Sequence, residues 1–360
     1  MKHKINKFIL LFSILISILS IKPSIFIPKA LENNGISYTS EIVMEKDTGR
    51  VLYENNGYCK RFMASTTKIL TAICIIENMD INQKIIVSKE TVGIEGSSIY
   101  LEEGEVLSVK DLLYGLMLRS GNDCAETLAV ACSKTIDNFA VLMNETAKKI
   151  GANASNFVNP HGLHNDNHYT TAYDLALISC YSLKNDTFRE IVSTKSIEIP
   201  WTTRNYNRKL TNKNKMLSNF DGATGIKTGF TKKAGRCLVT SAKRNGMELV
   251  SVVLNCPSMW EKSASILNNC FNEYKNVKIL DKNNILDFYN YNNKEYGVYI
   301  KNDVILPIKE SEKNDIRIDV NYTKDLKLPI KKDTAIGNVC IYLKNNLIFT
   351  QKIYNIIDIK

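Results

Sequence analysis

The order of patterns along this 360-residue chain predicts an α+β fold, an antiparallel sheet covered by helices and followed by a small C-terminal all-β domain. Three observations predict it. Apolar residues recur at helical spacing in stretches between residues 69 and 132, and β-rich runs flank an Asn-Gly turn at residues 245–246. After about residue 276, Asn and Lys rise and short alternating segments replace helical periodicity. A composition of 44% apolar and 23% charged residues is that of an ordinary globular protein. The length suffices for one large core and a smaller second domain. The expected division is residues 1–30, 31–276 and 277–360.

Residues 1–30 read as an export signal, cleaved or retained as an N-terminal anchor. Lys2, Lys4 and Lys7 precede a 14-residue apolar core from Phe8 to Ile21, shorter than the ~20 residues a spanning helix needs. Pro28-Lys29-Ala30 is a poor match to a small-x-small cleavage site. The formal charge is +10, and leaving out the five lysines of this stretch, which holds no acid, brings it to +5. That surplus is too mild and too evenly spread for a nucleic-acid partner, and it suits an anionic cell surface. Nine scattered cysteines without a C-x-x-C pair, most among apolar neighbours, are expected to be buried thiols.

Ser40–Glu45 and Val51–Glu54 are short strand candidates joined by a turn at Asp47-Thr48-Gly49. They lead into Met63-Ala64-Ser65-Thr66-Thr67-Lys68, followed by an apolar run, Ile69 to Ile76, with the length of a buried helix. Three residues apart, Ser65 and Lys68 share one face of that helix. A neutral amine there would serve as the base that an attacking hydroxyl needs. Helix-terminal charge and apolar surroundings both favour a neutral Lys68. The spacing alone is weak, since a Ser-x-x-Lys is expected about once in a chain this long. Ser65 as a helix cap and Lys68 as a solvated side chain is the bland alternative.

Val109–Leu118 and Asp123–Cys132 are helical patterns broken at Ser120-Gly121-Asn122. That break is either a stop followed by a cap, or a rigid loop presenting a hydroxyl and an amide to a substrate. Three of the four histidines, 161, 164 and 168, fall in a Pro- and Gly-containing loop after Asn159. Their spacing is not that of a zinc-binding helix, so they are expected to hydrogen-bond loop backbone and no metal is expected. Strands follow from Gly222 through Asn255, and Glu261–Tyr274 reads as a helix. Gly229 inside the first strand predicts a close approach to its backbone. Lys227 and Thr228 beside it would offer a cation and a hydroxyl to an anion, against the alternative of an edge-strand lysine kept for solubility. The segments Tyr296–Ile300, Ile316–Val320, Val339–Leu343 and Leu347–Ile353, with a turn at Asn345-Asn346, make up the small β domain. No amphipathic helix is read before Lys360.

Ser65-x-x-Lys68, Ser120-Gly121-Asn122 and Lys227-Thr228-Gly229 occur in the order found in β-lactamases and penicillin-binding proteins. Over residues 38–276, including Asn159-Pro160-His161-Gly162-Leu163, the chain resembles the serine-type D-alanyl-D-alanine carboxypeptidases, the low-molecular-weight penicillin-binding proteins. It has Met63 where that family commonly has proline. The resemblance implies a β-lactamase/transpeptidase-like sheet and acyl transfer without a cofactor. The implied partners are peptidoglycan stem peptides ending in D-Ala-D-Ala, with β-lactams as covalent inhibitors. It implies Ser65 as nucleophile, Lys68 as base, Ser120 as proton relay and Asn122 as holder of the substrate amide. Lys227 and Thr228 would bind the terminal carboxylate, and the N–H groups of Ser65 and Phe230 would form an oxyanion hole beside Gly229. An exported, extracytoplasmic protein at the cell wall or the outer face of the cytoplasmic membrane is expected. The competing readings are a β-lactamase, for which no Glu-x-x-Leu-Asn segment is found, and a non-catalytic wall scaffold.

Overall fold

The structure, a computed structural model, describes residues 39–323 and 326–360, so the expected export signal lies outside the described residues. Ser40–Glu45 (β1) and Val51–Asn55 (β2) form a hairpin. A 3₁₀ turn at Ala64–Thr67 runs directly into Lys68–Asn78 (α1). The short pair Lys84–Ile86 (β3) and Val106–Ser108 (β4) leads to Val109–Tyr114 (α2), a π-helical turn at Gly115–Arg119, Asn122–Ser133 (α3) and Ile136–Ile150 (α4). Ala172–Ser182 (α5), Asp186–Ser193 (α6), the pair Ser196–Ile199 (β5) and Arg208–Thr211 (β6), and Met216–Asn219 (α7) follow. Ala223–Thr231 (β7), Gly235–Arg244 (β8) and Met247–Leu254 (β9) precede the long helix Met259–Glu273 (α8).

These strands build an antiparallel sheet in the order β2-β1-β9-β8-β7, which leaves β7 at one edge. Alternate residues of a strand point to opposite faces, and here both faces are covered. Val250, Val252 and Leu254 join Ile42, Met44 and the apolar residues of α1, α3 and α5 in the larger core. Leu249 and Val253 join Val43 and meet Ile266, Leu267 and Phe271 of α8 on the other side. All eight residues of β9 are buried, which is why it reads as a continuous apolar run. Each fully buried Val, Leu or Ile contributes about 1.5–3 kcal/mol of transfer free energy, so the sheet centre carries much of the burial that stabilises the fold. Glu248 is buried at the start of β9 and is tolerated because Arg189 of α6 grips both its oxygens at 2.9 and 2.8 Å.

Strand Tyr274–Leu280 (β10) continues from α8 without a break, and Asp287–Tyr291 (β11), Lys294–Tyr299 (β12), Val304–Lys309 (β13), Ile316–Tyr322 (β14), Ala335–Leu343 (β15) and Asn346–Asn355 (β16) complete the chain. β10 pairs with β13, and the others form a sheet in the order β11-β12-β16-β15-β14. This all-β domain has its own core around Val298, Leu306, Val339, Ile341 and Ile353. The expected strand positions and the Asn-Gly hairpin, with φ of 49° at Asn245 and 79° at Gly246, are observed. The nine cysteines are all unpaired, six of them buried.

Candidate active site

The Ser65 turn is locked before any side chain of the site is considered. Ala64 has a φ of +48°, and Thr67 Oγ donates to the Ala64 carbonyl at 2.8 Å. Against the same carbonyl lies Gly162, at a φ of +87°, where an added Cβ would fall only 1.9 Å from Ala64 O. Glycine is required there by both backbone geometry and space. Thr71 Oγ donates to the Pro160 carbonyl at 2.7 Å, tying the 159–163 loop to the next turn of α1. His168 Nε2 meets Thr67 Oγ at 2.8 Å while its Nδ1 accepts from the Val158 N–H at 3.1 Å. Burial holds its pKa down at about 3, so the ring is neutral. His168 and His161 thus hydrogen-bond loop backbone as expected, through the N–H groups of Val158 and Leu163, whereas His164 meets the Asp166 carboxylate at 3.3 Å.

Ser65 caps neither helical segment: Met63 precedes the 3₁₀ turn and Thr67 precedes α1. Lys68 is not solvated either, at 0% exposure. Its Nζ lies 2.7 Å from Asn122 Oδ1, 2.7 Å from the His161 carbonyl and 3.1 Å from Ser65 Oγ. Burial, and then the neighbouring Lys227, push its pKa well below the usual lysine value. In a neutral amine the two N–H bonds go to the two carbonyl oxygens, which can only accept. The remaining tetrahedral direction holds the lone pair and faces Ser65 Oγ, so the hydroxyl donates to it. Asn122 cannot turn the other way, because its Nδ2 donates to the Glu95 carbonyl at 2.5 Å. It is the first residue of α3 and not a cap; the preceding residue is Gly121.

Ser120 ends the π-helical turn in a left-handed conformation, φ 66° and ψ 30°. π-Turns concentrate at functional positions. Ser120 is 3% exposed, and its Oγ has no hydrogen-bond partner among the described residues although it lines the cleft. Buried hydroxyls are rarely left so, and this one is available to a bound molecule. Next to it Asp123 gathers the N–H groups of Ile99 and Leu101, each at 3.1 Å, and the Ser98 hydroxyl at 2.5 Å. This fixes the 98–101 segment, which follows the cleft-lining Ser97.

Strand β7 closes the other side. Lys227 is 1% exposed despite its place on an edge strand, with Nζ donating to the Thr228 carbonyl at 3.0 Å. Burial, and then Lys213, lower its pKa to about 7. A Cβ at Gly229 would stand 3.0 Å from Met63 O and 3.1 Å from both Ser65 N and Thr66 N. The object approaching this strand is therefore the Ser65 turn itself. Phe230 is 64% exposed at the rim.

A cavity of about 370 Å³ opens between these elements and is lined by Ser65, Ser120, Thr228, Gly229 and Phe230. Five further lining residues carry no sequence signal: Ser97, Lys213 and Arg236, and Met259 and Trp260 of α8. Among the described residues neither Lys213 nor Arg236 forms an ion pair, so the cleft is cationic and suited to an anion. The structure thus gathers all three sequence motifs, forty or more residues apart, around one opening.

Residues 28–258 match the family described as D-alanyl-D-alanine carboxypeptidase, and residues 274–360 match the C-terminal domain of penicillin-binding protein 5. The chain is 30% identical to a D-alanyl-D-alanine carboxypeptidase, DacF, of Bacillus subtilis, over 84% of its own length and 80% of that protein. The structure is similar to that of DacD from Francisella tularensis, with a TM-score of 0.68 and 26% identity over 92% of this chain and 95% of that one. It is also similar to the DD-transpeptidase of Streptomyces K15, with a TM-score of 0.62 and 31% identity over 67% of this chain and all of the other. On this fold, this match over most of the chain and this arrangement of motifs, the protein belongs to the D-alanyl-D-alanine carboxypeptidase family of serine peptidases.

Proposed function

We propose that the chain removes the terminal D-alanine from peptidoglycan stem peptides through an acyl-enzyme on Ser65. The observation that carries this reading is the coordination of Lys68. Nζ lies 2.7 Å from each of two carbonyl oxygens and 3.1 Å from Ser65 Oγ, so a neutral amine gives its N–H bonds to the carbonyls and leaves its lone pair to the Ser65 hydroxyl. Lys68 takes the Ser65 proton as Oγ attacks the carbonyl of the penultimate D-alanine. The oxyanion develops between the N–H groups of Ser65 and Phe230. Ser120, unpaired and facing the cleft, passes a proton to the leaving D-alanine nitrogen as the amide bond breaks. Asn122 steadies both Lys68 and the substrate amide, and Lys227 with Thr228 holds the terminal carboxylate. Water then attacks the ester, releasing the shortened peptide and restoring Ser65. β-Lactams acylate the same hydroxyl.

Residues 31–276 carry this chemistry, and residues 277–360 position the enzyme on the wall polymer. The positive, apolar first thirty residues export it to the outer face of the membrane, where it matures the wall and supports cell shape. Among the described residues no helix is long and apolar enough to cross a membrane.

The test is covalent labelling by a fluorescent penicillin, combined with D-alanine release from a diacyl-D-Ala-D-Ala peptide. Both are expected in the parent, and Ser65→Ala should abolish both while melting normally. A label mapped to Ser120 or elsewhere would sink the assignment. A label lost within seconds would indicate a β-lactamase, and absence of any label a scaffold.

A further inference from the structure

Lys68 depends on a main-chain carbonyl, and a carbonyl is only as well placed as its peptide. The His161 carbonyl belongs to a loop, and the ring of the same residue is clamped. Its Nδ1 accepts from the Leu163 N–H at 3.1 Å, so Nε2 carries the proton of the neutral ring. That Nε2–H faces Glu126 Oε1 at 3.1 Å. The His161 side chain is 8% exposed and that of Glu126 19%, so this is not a solvated surface pair. Asn159 Oδ1 holds the other side of the turn through the N–H groups of His161 at 3.3 Å and Gly162 at 2.7 Å. Glu126 lies four residues after Asn122 on α3, on the same helical face. One helix face thus controls both acceptors of Lys68, Asn122 directly and the His161 carbonyl through Glu126.

We propose that Glu126 is a positioning residue for the Lys68 base, acting through the His161 ring to fix the carbonyl that orients the amine. It touches no substrate, and none of the three sequence motifs contains it. The inference rests on Lys68 being the base. Acylation by a fluorescent penicillin, and kcat and KM for D-alanine release, are measured in the full chain and its variants Glu126→Ala, Glu126→Gln, His161→Ala and the double alanine variant. Glu126→Ala should lower the acylation rate and kcat by about tenfold, with KM within about twofold, because it displaces a catalytic group and not a binding contact. Glu126→Gln keeps an oxygen that accepts from Nε2–H and should stay within about threefold of the parent. In the His161→Ala background, adding Glu126→Ala should cost less than about twofold, since the path is already cut. Where Glu126→Ala melts too early to assay, Glu126→Leu replaces it and is held to the same expectation. Unchanged acylation in the alanine or leucine variant, an equal loss in Glu126→Gln, or additive losses in the double variant would each overturn the proposal. A Lys68→Ala enzyme that acylates at the parental rate overturns the base assignment instead, and the proposal with it, a failure distinguishable from the other three.

Discussion

Two lysines lie buried beside the residues that line this cleft, and the proposed chemistry asks opposite things of them. In the proposed mechanism Lys68 is neutral, to accept a proton, and Lys227 is charged, to hold a carboxylate. Their surroundings separate them in that sense. Lys68, with Lys227 among the causes, is pushed well below the usual lysine range, while Lys227 falls to about 7. The free enzyme's kcat/KM should therefore decline above about pH 7 as Lys227 loses its proton, and decline again at acid pH as Lys68 gains one. The alkaline decline should vanish for a substrate with an amidated terminus, which needs no cation. Lys227→Ala removes a charge-assisted hydrogen bond worth about 1.5–3 kcal/mol, so kcat/KM on the free-acid peptide should fall roughly ten- to a hundredfold. Steady-state kinetics over pH 5–10 on both peptides checks this, and an equal loss on both would mean that Lys227 acts elsewhere. The same shift has a sign for stability. The folded state sheds this proton before the unfolded chain does, so Lys227 makes the protein more stable as pH climbs from about 7 towards the unfolded lysine value of about 10.4.

At the scale of elements, the site exists because a loop, a turn and an edge strand converge on one peptide. The 159–163 loop pins the Ala64 carbonyl, and β7 lies against the N–H groups of Ser65 and Thr66. Gly162→Ala would force a left-handed alanine, costing about 1–2 kcal/mol before the clash with Ala64 O is counted. We expect a loss of at least about 2 kcal/mol in thermal or urea unfolding and a larger proportional loss of penicillin labelling, because the Ser65 turn is what must move. Labelling at the parental rate in this variant would mean the loop is not what holds the turn. The motif Asn159-Pro160-His161-Gly162-Leu163 was visible in the chain. What it does was not, since Gly162 meets a residue ninety-eight positions earlier.

At the scale of the molecule, two cores meet at a small polar seam. Arg50 bonds Glu312 at 2.7 Å and the Pro307 carbonyl, and lies over the Tyr274 ring at 5.3 Å. The Tyr274 hydroxyl donates to the Leu52 carbonyl at 3.1 Å, so this residue belongs to the core between the main sheet and α8 although it begins β10. Among the described residues, none that lines the cleft comes from beyond Trp260. A chain ending just after Tyr274 should therefore release D-alanine from a small peptide within a few-fold of the full chain, and should lose more on intact wall, where positioning on a polymer matters. Assaying both substrates with both chains decides it. Loss of small-peptide activity in a well-folded truncated enzyme would mean that the β domain completes the site.

Much of this was legible in the residues themselves. Helix α1, the β8–β9 hairpin and the β-rich end follow from periodicity and turn chemistry, which are local and survive in a linear string. So does the candidate set Ser65, Lys68, Ser120, Asn122 and Lys227, because such groups at short fixed spacings on single elements stand out in a linear string. Contacts across the fold decided the rest. Lys213 and Arg236 enter the cleft from a loop and a strand that no motif marks. The bland reading of Ser65 fell on the cap positions and those of Lys68 and Lys227 on burial, since an edge strand that faces solvent and one that faces a turn spell the same residues. The placement of the Lys68 amine was likewise beyond the reach of sequence. It is set by Asn122 Oδ1 and the His161 carbonyl, brought together over a separation of thirty-nine residues by packing that has no sequence period of its own.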